Sequence, residues 1–502
     1  MIEKTVYISL FFVLLGFNVQ AQYVENALRF SQTTIGGSAR ILGLGGAQTS
    51  LGGDISAASG NPAGLGFYNR SEFSISPTLQ FFNSTSNYLG NTAENDNTHF
   101  GIGNVGIVFN NTKDDIVPGK WRGGSFAISL NRVNNFNSKM LYAGDNGQDA
   151  FIDFVIEESQ ADYEDGFQES NLTTLFFDAY LIDFFPEIEN GDTVGFSYGS
   201  VLSIPVPEDP VRQVEQITRK GGQSQWSFAY GGNFEDKLYL GASIGFITLD
   251  YEETRVYTEQ SSAIDADKLD DYTYIEDRSI NGAGINATLG VIYRPINTMT
   301  LGFSYTTPTL YSLDERLQTE IVANWNNYEY LNGDVLNTVT PEPFLNDFDF
   351  RLRTPQRVNG GATFFFGKSG FITADVEWLD YAANQLRDDR SELSFDNQTI
   401  DEAFASTVNL RVGGEFRYDV ARVRAGFAHY GNPYTNTGED GAITHITGGA
   451  GLRFQKFYAD LNVLYVTSQE RISPYTFRDG VGPVADIDKQ STNITLTVGF
   501  TF

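Results

Sequence analysis

From about residue 71 to the end of the chain, apolar and polar residues alternate in one segment after another. That period of two is what a strand with two different faces requires. The segments fall near 71–83, 100–110, 121–137, 212–234, 237–256, 272–294 and 299–311. A second run follows at 350–367, 370–382, 404–418, 421–430, 443–455, 457–468 and 491–502. They number fourteen, and many are longer than most strands of globular proteins. The connections alternate in length. One set shrinks from ten residues at Asn111–Lys120 to the single Lys456, while the other runs from 12 residues up to the 74 of loop 138–211. An even strand count with short turns at one end and long loops at the other is the pattern of an outer-membrane barrel. A soluble sandwich has no reason to sort its loops by length.

Register offers an independent check. A two-residue turn at Asp419-Val420 sets Tyr418 opposite Ala421, hence Phe416 opposite Val423 and Glu415 opposite Arg424. Val408, Leu410, Val412 and Phe416 then face lipid, and Asn409, Arg411, Glu415 and Arg417 face inward. On the next strand Val423, Ala425 and Phe427 point out while Arg422 and Arg424 point in. A charge on the lipid face costs roughly 2–4 kcal/mol at the midplane, so the phase predicts a polar, charge-paired lumen.

Composition removes whole classes of function. With 33 Lys+Arg against 63 Asp+Glu the net charge is −30, which argues against a nucleic-acid partner. The absence of Cys excludes disulfides, thiolate metal sites and Cys nucleophiles, and three His leave little for imidazole clusters. Residues 1–21 have the form of a secretory leader. Lys4 is the positive end, an apolar run spans 6–17, and Val19-Gln20-Ala21 predicts cleavage after Ala21. At the other end Ile494, Leu496, Val498, Phe500 and Phe502 share one face of a final strand. A soluble half-buried strand would look alike, but this one also resembles the closing strand read by the outer-membrane assembly machinery.

Residues 22–70 lack the strand alternation and carry ten Gly, with Ile41, Leu42, Leu44, Leu51, Ile55 and Leu65 requiring burial. A plug inside the barrel answers both features. The run Gly37-Ser38-Ala39-Arg40, then Gly45-Gly46-Ala47, Gly52-Gly53-Asp54 and Asn61-Pro62-Ala63-Gly64-Leu65 resembles the N-terminal hatch of the FadL/TodX family. Asn131-Arg132-Val133-Asn134-Asn135-Phe136 and Leu352-Arg353-Thr354-Pro355 resemble its versions in Bacteroidetes-type bacteria. That family consists of outer-membrane transporters of long-chain fatty acids and other hydrophobic compounds. The resemblance implies capture at outer loops, transfer to a pocket above the hatch, and release through a hatch shift or a kinked wall strand. The other meaning of Asn61-Pro62-Ala63 is mechanical: Asn followed by Pro fixes a bend that ties plug to wall.

The large loop is acidic yet aromatic. Ser138–Asp209 holds 16 acids and one base, Lys139. Its apolar residues Leu172, Leu175, Phe176, Phe177, Tyr180, Leu181, Phe184 and Phe185 come close to a helical face. Phe176, Phe177, Tyr180, Leu181, Phe184 and Phe185 are candidates for an entrance groove that binds hydrophobic ligand, or equally for a cap packed on the barrel mouth. A third use of the loops is divalent-cation binding, with Asp145–Asp149 and Asp265–Asp271 as candidates, though neither follows the full calcium-loop spacing.

Three patterns are set aside. Gly101-Ile102-Gly103-Asn104-Val105-Gly106 opens a strand rather than a helix, so it is not a dinucleotide loop. Gly195-Phe196-Ser197-Tyr198-Gly199 has the letters of a nucleophile elbow without its strand–turn–helix context. His429 and His445 flank a short loop on neighbouring strands and could approach each other, but they lack a third ligand.

The expected fold is thus all-β: a 14-stranded antiparallel transmembrane β-barrel over 71–502, with residues 22–70 as a hatch inside it. The expected function is passive uptake of long-chain fatty acids or other hydrophobic small molecules, without cofactor, metal or catalysis. The alternative is a non-transporting structural subunit of an outer-membrane secretion or barrel-assembly complex. Expected partners are outer-membrane lipid and lipopolysaccharide, the hydrophobic ligand, the assembly machinery acting on the strand that ends at Phe502, and other subunits of such a complex.

Overall fold

The structure, a computed structural model, describes residues 17–34, 36–113, 119–166, 170–189, 192–331, 333–388, 393–436 and 438–502. The leader expected over 1–21 lies outside the described residues except for its last few, which open helix α1, Phe17–Ser31.

Fourteen antiparallel strands close a barrel. β1 (Glu72–Tyr88), β2 (Asn91–Thr112) and β3 (Trp121–Asn135) precede the large loop. β4 (Val211–Phe234), β5 (Leu238–Gln260) and β6 (Leu269–Ile296) follow it. β7 runs in two stretches, Met299–Thr306 and Leu310–Glu329, and so does β8, Phe344–Arg353 and Arg357–Phe365. β9 (Gly370–Asp380), β10 (Ser406–Tyr418) and β11 (Ala421–Tyr430) come next. β12 (Ile443–Arg453), β13 (Phe457–Ile472) and β14 (Ala485–Thr501) complete the sequence. β14 pairs back onto β1 from Glu72↔Thr501 to Tyr88↔Ala485, which closes the sheet. The interruptions in β7 and β8 carry Pro308 and Pro355, which have no N–H for a ladder. They lie side by side and are mended by Thr354 N–H to the Thr309 carbonyl and Thr309 N–H to Thr354 Oγ1, both at 3.0 Å.

The register read from the sequence stands: Tyr418↔Ala421, Phe416↔Val423 and Glu415↔Arg424 are partners. Val408, Leu410 and Val412 are 45–48% exposed while Asn409 and Arg411 are 2% and 1% exposed. Apolar side chains therefore meet the surroundings of the barrel and charged ones its lumen, the distribution a lipid solvent imposes.

The long connections differ from expectation at two places above all. Much of 312–349, expected as a loop, is strand, since β7 runs on to Glu329 and β8 begins at Phe344. Between the first two strands the alternation fades near residue 83, which suggested a loop of about 16 residues, yet β1 and β2 continue paired to a tight turn at Leu89-Gly90 with φ of 49° and 80°. Ladder hydrogen bonds continue past the apolar belt, but beyond it no lipid demands an apolar face, so the two-residue period is lost.

The large loop folds into a cap. Ser138–Asn146 prolongs β3 along β4, followed by α3 (Phe151–Glu164), α4 (Asn171–Asp178) and a hairpin of Asp183–Glu189 with Asp192–Gly199. The helical face expected from 172 to 184 stops at Asp178, because Tyr180 adopts φ of 62° and Asp183 begins a strand.

Candidate functional site

Inside the barrel lie α1, the short helix α2 (Ala39–Leu42) and two 3-10 turns, Ile55–Ala58 and Pro62–Phe67. Ile41, Leu44, Leu51, Ile55 and Leu65 are buried there. Asn61 caps the second turn: its side chain accepts from Ala63 N–H at 3.1 Å and donates to the Thr49 carbonyl at 2.6 Å. Pro62 occupies the first helical position, where a missing N–H costs nothing. The wall answers with glycine. A β-carbon on Gly241 would stand 2.2 Å from the Pro62 carbonyl carbon, and one on Gly426 would stand 2.2 Å from the Gly45 nitrogen. Gly45 and Gly46, with φ of 66° and 81°, turn the chain against Phe427. The motif Asn61-Pro62-Ala63 with Gly45 and Gly46 is therefore a seat for backbone on backbone, and none of the five lines the cavity described below.

An ion network fixes the same segment to the wall. Arg40 reaches Glu415 at 3.6 Å and Asp54 at 3.8 Å. Glu415 also accepts from Arg424 at 2.7 Å and Arg417 at 2.7 Å, and Arg424 continues to Asp460 at 2.6 Å. Asp375 holds the next loop by accepting the N–H groups of Gln48 at 2.7 Å and Thr49 at 2.8 Å. Buried charges persist only when paired in this way.

Above the seat a cavity of about 600 Å³ lies at a break in the wall. β2 and β3 are paired only from Thr112↔Gly123 to Asn104↔Asn131, and beyond that row β2 keeps β1 as its ladder partner while β3 keeps β4. A register shift at Arg132/Asn134 turns β3 away. Gly101 and Gly103 of β2 line the cavity here and bring no side chain to it, while the His99 ring lies beside Gly101. Ile102, exposed on the outward phase of β2, lines the cavity too, so the space reaches the outer face of the barrel. The N-terminal segment borders the break: Thr34 N–H donates to the Val133 carbonyl at 3.1 Å, and Asn134 Nδ2 donates to the carbonyls of Arg29 at 3.2 Å and Gln32 at 3.1 Å. Leu28, Phe82, Phe136 and Leu464 give the cavity an apolar wall. On the far side Glu470 pairs with Arg219 at 2.8 Å and Lys489 at 2.6 Å.

Arg132 is the cation at the break. Its guanidinium donates to the Gly221 carbonyl at 2.8 Å and to Ser224 Oγ at 3.4 Å, and it forms no ion pair among the described residues. Neutral acceptors hold this half-buried cation beside an open space, and the Asp250 carboxylate is the acid whose charge acts on it.

The aromatic candidates lie elsewhere. Phe176 and Leu181 belong to a closed core with Phe151, Phe154, Tyr257, Tyr272 and Trp325. Tyr180 and Phe184 pack at its edge, Phe177 is exposed, Phe185 is half-buried, and none of the six lines the cavity. The structure places them as a cap on the barrel mouth. His429 and His445 are not brought together: His445 pairs in register with Ala428, which puts His429 on the opposite face. His445 lines the cavity against Tyr430, whereas His429 Nδ1 contacts Thr444 Oγ1 at 3.2 Å. In the 145–149 cluster Asp145 pairs with Arg212 at 2.9 Å, and Asp149 accepts from Tyr475 at 2.6 Å. Asp265 pairs with Lys268 at 2.7 Å, and among the described residues no group of three or more acidic or His side chains is arranged to hold a metal. Ser197 lies within a hairpin strand.

The sequence pattern did not single out Arg132, Gly101 or Gly103 as a site. Two signals were present: Arg132 stands in the Asn131–Phe136 run that resembles the family, and the glycine spacing set aside as a false dinucleotide motif marks in the fold where β2 loses its neighbour.

No protein-family model matches the sequence and no curated protein matches it. Solved structures match in fold. The P. putida toluene transporter TodX superposes with a TM-score of 0.52 at 14% identity, over 93% of this chain and 99% of that one. A Pseudomonas aeruginosa FadL homologue gives 0.56 at 13% identity, over 94% and 99%. The Ralstonia pickettii toluene transporter TbuX gives 0.50 at 12% identity, over 93% and 99%. A closed barrel of fourteen strands shared over nearly the whole length of each partner gives this chain the FadL/TodX-type fold.

Proposed function

We propose that the chain is an outer-membrane channel for passive uptake of hydrophobic or amphipathic small molecules, long-chain fatty acids foremost. The observation that carries this is the cavity at the break between β2 and β3, apolar on one side, open past Ile102, and bordered by Arg132. Its volume is in the range of small-molecule sites. Solved structures of this fold include, by name, toluene transporters and a FadL homologue, which supports hydrophobic compounds as a class. Arg132 favours an acidic head over a neutral hydrocarbon. On this reading the leader is cleaved after Ala21, the assembly machinery recognises the strand ending at Phe502, the turns face the periplasm, and residues 22–70 act as the hatch.

The test is equilibrium binding to purified protein of a long-chain fatty acid and of toluene, with Arg132→Gln alongside. The expected result is saturable binding of the acid, about tenfold weaker in the variant, with toluene binding unchanged. Absence of saturable binding of either compound, with uptake unaffected by deletion of the gene, would sink the proposal. A structural-subunit role has one observation in its favour: Ile188, Val194 and Phe196 are exposed on the cap hairpin. Purification in mild detergent with stoichiometric partner proteins would favour that reading.

A further inference from the structure

The two ends of the barrel differ in charge in a way that uptake does not require. The cap end carries the acidic loop, with 16 acids against one base between Ser138 and Asp209. At the turn end the sign reverses. Each of the six turns carries or adjoins a basic residue: Lys120, Lys237, Arg294, Lys368, Arg422 and Lys456. Lys120, Lys237, Lys368 and Lys456 are exposed. The acids described at this end are few. Glu235 and Asp236 are already engaged by Lys120 at 3.2 Å and Arg122 at 3.6 Å, and Asp419 stands beside Arg417 and Arg422. The sequence adds Asp114 and Asp115, which lie outside the described residues.

The same rim carries an outward aromatic belt. Trp121, Tyr293, Phe366, Tyr418, Phe454 and Phe500 are all exposed within a few residues of the turns. Lys120 Nζ sits 6.0 Å from the Phe234 ring centroid. Amphipathic rings settle at the level of lipid headgroups, and long basic side chains beside them extend to the phosphate layer. A basic ring at headgroup height in a protein of net charge −30 is a selective surface, because the rest of the molecule repels the anions this rim attracts.

We infer that the turn-side rim is a binding surface for anionic phospholipid headgroups, one that ties the barrel to the phospholipid leaflet and orders phosphatidylglycerol-type lipids around the turns. The occupant is a membrane lipid rather than a soluble acidic protein, because the basic residues run around the whole circumference and share their height with lipid-facing rings. A protein partner would need one contiguous patch.

The experiment takes the full-length protein into nanodiscs of mixed phosphatidylglycerol and phosphatidylcholine, then counts co-retained lipids by native mass spectrometry. A second sample carries Lys237→Gln, Lys368→Gln and Lys456→Gln, exposed turn positions away from the cavity. Heat-modifiable gel mobility confirms that both samples are folded. Wild type should retain phosphatidylglycerol in preference, and the triple variant should lose about tenfold of that preference. Added salt should erode the wild-type preference. Equal retention of the two lipids, or a preference unchanged in the folded variant, overturns the assignment and leaves the rim to an acidic protein. Fatty-acid binding does not enter this readout, so failure here and failure of the transport proposal are separable.

Discussion

The side-chain oxygen of Asn61 occupies the place where a β-carbon on Gly290 would stand, 1.9 Å from that position. The Asn61 side chain thus rests directly on the β6 backbone, which a glycine alone leaves open. Gly290→Ala should therefore push the Asn61 turn off β6, destabilising the protein by about 1–3 kcal/mol. Gly360→Ala is the matched control, since a β-carbon there meets nothing within 4 Å. Denaturant unfolding in detergent should separate the two variants. Equal stability would mean that the seat of the N-terminal segment yields freely.

Glu415 is the carboxylate on which three guanidinium groups converge: Arg40 from the N-terminal segment, and Arg417 and Arg424 from the wall. Glu415→Gln keeps the shape and removes the charge, leaving buried Arg40 with Asp54 alone and buried Arg424 with Asp460 alone, at a cost of about 3 kcal/mol. Because Arg40 is the only one of the three on the N-terminal segment, loosening should show first as trypsin cleavage after Arg40, a buried residue in the native protein. Resistance to trypsin equal to wild type would show that Asp375 and the glycine seat hold the segment unaided.

Gly101 tests the break itself. A β-carbon there meets only the His99 ring, at 3.3 Å, whereas the neighbouring Gly103 would press on Thr78 Oγ1 at 2.7 Å. Gly101→Leu should therefore fold, extend into the cavity and weaken ligand binding by tenfold or more, roughly 1.4 kcal/mol. Gel mobility identical to wild type with binding also identical would move the ligand path away from the β2–β3 break.

The pairing of Glu415 with Arg424 could be read from the amino acids because a two-residue turn and a period of two leave a single register that keeps every charge inside. The continuation of β1 and β2 to Leu89 could not, because outside lipid neither face of a strand is constrained. The cavity was hidden for another reason. It is made by ladder bonds that stop at Asn104↔Asn131, and the place where pairing ends is a property of the closed sheet, not of any residue. Phe176 and Leu181 illustrate the remaining gap. Hydrophobicity shows that they are buried, but a ligand and the cap's own Phe151 and Trp325 satisfy that need equally.

The cap offers a pH-dependent test outside the membrane strands. Asp153, in the first turn of α3, is pushed up from the usual carboxylate range by burial; the Ala150 N–H at 2.8 Å opposes this and the charge of Asp149 adds to it. The docked helix thus binds this proton more tightly than an undocked one. Docking is strongest below the ordinary Asp value near ~3.9, weakens as pH rises through the interval up to the raised value, and is level above it. Asp153→Asn keeps an acceptor for Ala150 and abolishes the titration. It should make the cap more stable at neutral pH and flatten the pH dependence below it. Proteolytic susceptibility of the segment joining α3 and α4, measured from pH 4 to pH 7, reads this directly. A cap that becomes more resistant in wild type as pH rises would reverse the sign and refute the assignment of Asp153.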